Sequence, residues 1–181
     1  DFDDVNSDVA LHFLKIYWTT LHHEIPIVYR PTFMRDMACN GRCFSKLLLN
    51  AIFYSAAKFS LKGDNITQRE RFRNRFKELL GPASEESSIT TIQALLVMAS
   101  SILFQDDEKS VAWLYSGMAF RMLIDLRLYQ QPDADDDNAT TDDLQRAEVH
   151  RKLFAAAFII DEFQSLYIGR STTLSSYIGS D

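Results

Sequence analysis

From Ser87 to Leu128 the chain contains no proline and a single glycine, Gly117. Ile89, Ile92, Leu95, Leu96, Ala99, Ile102 and Leu103 recur at steps of three and four, the period of an amphipathic helix. Asp106-Asp107 interrupts the run, and the apolar pattern resumes through Val111, Leu114, Tyr115, Met118 and Met122. Two helices are therefore expected, about Ser88–Phe104 and Glu108–Leu128. A sheet would need alternation at period two and frequent turn residues, whereas all 181 residues hold only six glycines and four prolines. The fold class is all-α.

The remainder of the chain extends this pattern. A first helix is expected from an Asp8 cap to about His23. Pro26 and Pro31 predict an extended segment over Ile25–Phe33. A second helix opens at Gly41 or Ser45 and runs to about Leu61, followed by a turn at Lys62–Asn65. A third, about Thr67–Leu80, stops at Gly81-Pro82. A sixth, from Thr141 or Asp142 to Ile168, would be about 40 Å long. An acidic loop fills about 130–141, and residues 171–181 read as an irregular tail. The expectation is a single-domain bundle of about six main helices with antiparallel neighbours. The Glu108–Leu128 helix, apolar on more than one side, is placed at its centre.

No pattern of catalytic or ligating residues emerges. The net charge of -6 lacks the basic balance of a nucleic-acid-binding domain. Cys39 and Cys43 lack the spacing of a metal knuckle and suit a reducing compartment. His22 and His23 point about 100° apart on a helix and cannot readily share an ion. Serines lack a nucleophile turn, glycines form no phosphate loop, and the aspartates of 133–143 lack the glycine and closing glutamate of a calcium loop. The Arg-rich third helix is interleaved with glutamates and reads as a solvated face. Residues 1–10 are acidic, unlike a secretory leader, and the apolar run Leu153–Ile160 is too short to span a bilayer. No catalytic, metal or cofactor residue is assigned. Three charges stand in apolar company: Arg30, Arg121 and Asp161. Internal pairing, fixing how helices register, is the expectation for each, and the alternative is that they line a small-molecule pocket.

Three elements, in order, resemble a known family. Pro26 opens a stretch through Ile27, Val28, Tyr29, Arg30, Pro31 and Thr32 to Phe33. Trp113, Tyr115, Gly117, Ala119 and Arg121 alternate along one helix, followed by Leu126 and Leu128. Glu148, Arg151, Lys152, Asp161, Ser165, Gly169 and Arg170 make the third. Together they resemble the fungal-specific transcription factor domain, the middle homology region of fungal zinc binuclear-cluster regulators. Tyr29 stands where histidine is usual, Arg127 where glycine is common, Glu162 where arginine often follows the aspartate, and Ser171 where proline is usual. The resemblance implies a helical regulatory domain, non-catalytic and nuclear, covering residues 1–181 as part of a larger helical region. It implies that zinc belongs to a DNA-binding cluster outside this chain. The implied partners are the factor's other segments, a co-regulator protein or a metabolite, with no direct nucleic-acid or membrane contact. A metabolite-sensing module and a scaffold or dimerisation domain are the alternatives.

Overall fold

A computed structural model describes residues 2–60, 65–130 and 140–177. The central part of the acidic loop, the Lys62–Asp64 part of the expected turn and the last tail residues lie outside these. Among the described residues there are seven α-helices and no strand.

Helix α1, Ser7–Ile16, starts two residues earlier than Asp8 would set it. Asn6 is the cap, accepting from the Asp8 amide at 2.9 Å. The helix then loosens into a π-helical turn at Tyr17–Leu21. The expected extension over Ile25–Phe33 stops at Tyr29, because a new helix, α2, occupies Arg30–Cys39. Pro31 lies in its first turn, where its missing N–H has no helical acceptor to lose and its fixed φ favours the helix. Asn40 closes α2 in the left-handed conformation, at φ 55°. Gly41 follows under the Asp36 carboxyl, where a Cβ would come within 2.6 Å of Cγ.

Helix α3, Lys46–Ala57, is capped by Ser45, and α5, Ile89–Ile102, by Ser88. Helix α4, Asn65–Ala83, runs past Gly81-Pro82, so the proline sits in its last turn and removes one ladder bond without ending the helix. Helix α6, Lys109–Asp125, follows a 3-10 turn at Asp106–Glu108. Helix α7, Thr141–Ile168, begins with a reciprocal capping box between Thr140 and Asp143. It ends at Gly169, left-handed at φ 75°.

The packing order follows the chain. Helix α3 lies between α1 and α4 on one side and α5 on the other; α5 carries α6 and α7 on its far side. Every residue of α3 from Leu47 to Ala57 is buried, as is nearly all of α5. These two, and not α6, are the centre of the bundle. Phe13, Phe53 and Phe72 tie α1, α3 and α4, with ring centroids 5.3–5.9 Å apart. Asp3 is pinned beneath them. Its carboxylate accepts from Arg75 at 2.8 and 3.1 Å and from Asn50 at 3.0 Å, and it pairs with Lys46 at 3.3 Å. The Arg75 hydrogen bond leads in holding the Asp3 carboxyl down at about 2.

Helix α6 buries one side only: Ala112, Ser116, Ala119, Phe120, Met122 and Leu123. Its other side, with Trp113, Leu114 and Met118, is exposed. This overturns the central position expected from its all-round apolar pattern. The pattern marks two surfaces that avoid water, and α5 covers one of them.

Candidate interaction groove

The alternating element on α6 divides by helical geometry. Ala119 faces inward and is fully buried, and Tyr115 reaches the α4 ring of Phe76 at 5.7 Å. Trp113, Gly117 and Arg121 stand four residues apart and form a stripe on the outer side. They line a groove of about 290 Å³ with Leu114, Met118 and Thr173. Nothing lies within 4 Å of where a Gly117 side chain would start. The groove floor is therefore backbone, open to an incoming group.

The third element supplies the groove's wall. Asp161, on the buried stripe of α7, is 5% exposed. Its Oδ2 accepts from the backbone N–H groups of Thr173 at 2.7 Å and Leu174 at 2.6 Å. A buried carboxylate needs such donors, and here the donors are amides rather than an arginine. Gly169 makes the reversal that lets the chain return to α7. Ser165 Oγ donates to the Arg170 carbonyl across the same reversal. The result lays Arg170 over the Trp113 ring, 4.2 Å from its centroid, and sets Thr173 at the groove edge. Within the bundle, Gln164 of α7 donates to Ser116 of α6 at 2.7 Å, and Ser116 donates to the Ala112 carbonyl.

The apolar surface continues beyond the groove. Along α7, Ile159, Phe163, Leu166 and Tyr167 are all exposed, Leu166 to 85%. Phe163 and Tyr167 meet Phe104 at 5.8 and 5.3 Å, and Lys109 lies 5.2 Å over the Tyr167 ring. Lys109 and Trp113 are one turn apart on α6, so this aromatic cluster and the groove form one band. Together these side chains leave a contiguous apolar face uncovered among the described residues.

Two of the three charges in apolar company are not internal ties. Arg121 is exposed at the groove and makes no ion pair within 4 Å among the described residues. An α6 position between two apolar neighbours proved to be an outward one, because Phe120 and Met122 lie on either side of it around the helix. Arg30 is also exposed and lies over Trp18, 5.7 Å from its centroid. Phe33 is buried between Trp18 and Phe44, Pro26 is half-buried and Pro31 exposed. Gln93 of α5 holds the first element by donating to the Ile27 carbonyl at 3.1 Å. Lys152 lies 5.5 Å over Tyr29, so the first half of α7 meets the first element as its end meets the second. Arg151 is exposed and pairs with Glu148.

Other candidate chemistry disperses. Burial, then the Asp36 charge, pushes the Cys43 thiol up, the opposite of an activated cysteine. Burial lowers His22, which packs on Trp18 at 5.1 Å. Among the described residues no group of three or more His, Cys, Asp or Glu could hold a metal ion, and no helix is long and apolar enough to cross a membrane. In the sequence Leu114 and Met118 belong to the apolar pattern of the helix without being marked as outward, and nothing singles out Phe163, Leu166 or Thr173. The spacing of the outward α7 residues, at steps of three and four opposite the buried stripe, was the available signal.

Comparison with known proteins shows the family. The fungal specific transcription factor domain matches residues 14–178, and the chain belongs to that family. It is similar to an uncharacterised transcriptional regulatory protein of Schizosaccharomyces pombe, at 32% identity over 177 residues, covering 94% of this chain and 26% of that protein. It is similar to the nitrogen assimilation transcription factor nit-4 of Neurospora crassa at 28% identity, covering 91% of this chain and 16% of that protein. The activatory protein CHA4 of Saccharomyces cerevisiae is 33% identical, with 93% of this chain and 29% of that protein covered. The chain thus spans less than a third of each of these relatives. No solved structure matches it. The family is one of transcription regulators, not enzymes.

Proposed function

We propose that this chain is the middle-region regulatory domain of a nuclear zinc-cluster transcription factor, and that it biases the factor's output through protein contacts at the α6–α7 face. DNA binding and zinc belong to a cluster elsewhere in such a factor. The observation that carries the reading is the outward stripe of Trp113, Gly117 and Arg121, with Arg170 lying over Trp113. Four residues of the family elements form a surface instead of a core, and bundle stability alone does not require them there. The test is a reporter gene driven by the longer factor carrying Trp113→Ala with Leu114→Ser. Output should change at equal protein level while the isolated domain keeps its helicity. Unchanged output under inducing and non-inducing conditions removes the reading.

One observation favours metabolite sensing as a second reading. A cleft of about 640 Å³ between α2 and the start of α7 is lined by Arg35, Asp36, Arg42, Asp142 and Arg146, enough room and charge for a small polar effector. A thermal-shift screen on the chain and on Arg42→Ala checks it: stabilisation that the variant loses supports sensing, and no stabilisation by any metabolite counts against it.

A further inference from the structure

We infer that the groove on α6 receives an acidic amphipathic helix of a partner protein; this rests on the α6–α7 face being the regulatory surface. Three independent features define the occupant. The band from Phe104 to Arg121 is apolar along its centre, which calls for an apolar stripe. From Lys109 to Arg121 it follows α6 for twelve residues, about 18 Å, which matches a partner helix of about three turns. Arg121 stands at one end of the groove and Arg170 over Trp113 at the other, neither with an ion pair among the described residues, and no carboxylate lines the groove. Exposed arginines without ion-pair partners, beside apolar surface that binding would desolvate, attract an acidic partner and repel a basic one.

Gly117 adds an argument of a different kind. A glycine inside a helix weakens it, and no close contact within the fold requires this one, since a side chain there would meet open space. Its use is to leave the groove floor bare, so that a partner's apolar side chain can rest against the α6 backbone. A second copy of this chain is a poorer occupant. A twofold contact would set two surfaces that carry Arg121 and Arg170 against each other, with no carboxylate in the groove lining to receive them.

The occupant's chemistry can be tested with the chain as it stands. The probes are two fluorescein-labelled 14-residue peptides with leucine at positions 1, 5, 8 and 12. One carries glutamate at the flanking positions and the other lysine. Anisotropy should show saturable binding of the glutamate peptide and binding at least about tenfold weaker for the lysine peptide. Arg121→Glu with Arg170→Glu should reverse that preference. Gly117→Leu should weaken the glutamate peptide about tenfold without lowering the thermal midpoint, which separates blocking from unfolding. Equal affinity for the two peptides, or no saturable binding of either, overturns the inference. So does sedimentation showing a dimer that Gly117→Leu dissociates, because the occupant is then a second copy. If the peptides fail while Trp113→Ala still alters reporter output, the face is regulatory and the assigned occupant is wrong. If the glutamate peptide binds and output does not change, the regulatory reading fails instead.

Discussion

Asp161 does its work through two hydrogen bonds to the backbone. Its carboxylate gathers the Thr173 and Leu174 amides, and Leu174 is fully buried as a result. Asp161→Ala leaves two shielded N–H groups without acceptors, each costing about 1–3 kcal/mol. A loss of about 2–4 kcal/mol is expected in urea unfolding, whereas Asp161→Asn, which keeps an oxygen, should lose about 1 kcal/mol. Equal losses in the two variants would show that charge, and not the acceptor, is what matters. Asp3 is a different case, a carboxylate held by cations. Its folded value of about 2 lies below the ordinary 3.8, so the unfolded chain takes up the proton first as pH falls. The stabilisation from Asp3 is complete above about pH 5 and is lost between about pH 4 and pH 2. Asp3→Asn should lower the thermal midpoint at pH 6 and show a flatter decline over that acid window. A decline as steep as that of the unaltered chain would assign the acid sensitivity to other carboxylates. Asp161 was visible in the sequence as an acid among apolar residues. Asp3, in an acidic leading segment with no pattern, was not, because its partners come from α3 and α4, more than forty positions away.

At the scale of the element, the sequence was most legible where caps and periodicity agreed. Ser45, Ser88 and Gly169 mark helix ends in the structure at the positions their chemistry favours. Pro31 misled, since a proline both extends the residue before it and starts a helix after it. The Asn40-Gly41 stop, ten residues on, was the signal that separates these outcomes. Helix α6 misled for a deeper reason. Periodicity shows which faces avoid water but not what covers them, and only one of its two apolar faces is covered by α5. Gly117 probes that uncovered face. Because its Cβ would meet nothing within 4 Å, Gly117→Ala should relieve the glycine penalty and stabilise the isolated domain by about 0.5–1 kcal/mol. The check is the urea midpoint at unchanged slope. A destabilised Gly117→Ala would mean that the position serves the fold itself, which would remove the reason for assigning the bare floor to a partner.

In the whole molecule, burial falls away from the α3–α5 pair in both directions, and the two flanks are held differently. The α1–α4 flank has the Phe13–Phe53–Phe72 cluster and the Asp3 network, both crossing to α3. The α7 flank rests on one stripe, Val149 to Gln164, with a buried amide tie to Ser116 and an apolar outer face turned to water. Local opening should follow that asymmetry. Hydrogen exchange is expected to be slowest in α3 and α5, where opening requires global unfolding. The second half of α7 and residues 170–177 should exchange as one unit by a lower-energy opening, since Asp161 and Gly169 join them. Asp161→Ala should then accelerate exchange across that unit more than in α4. Bound glutamate peptide should slow exchange there and along the outer turns of α6, because it covers the face whose exposure favours opening. Uniform protection across all seven helices would show that α7 is as firmly seated as α3, and that the exposed band does not mark the least stable part of the bundle.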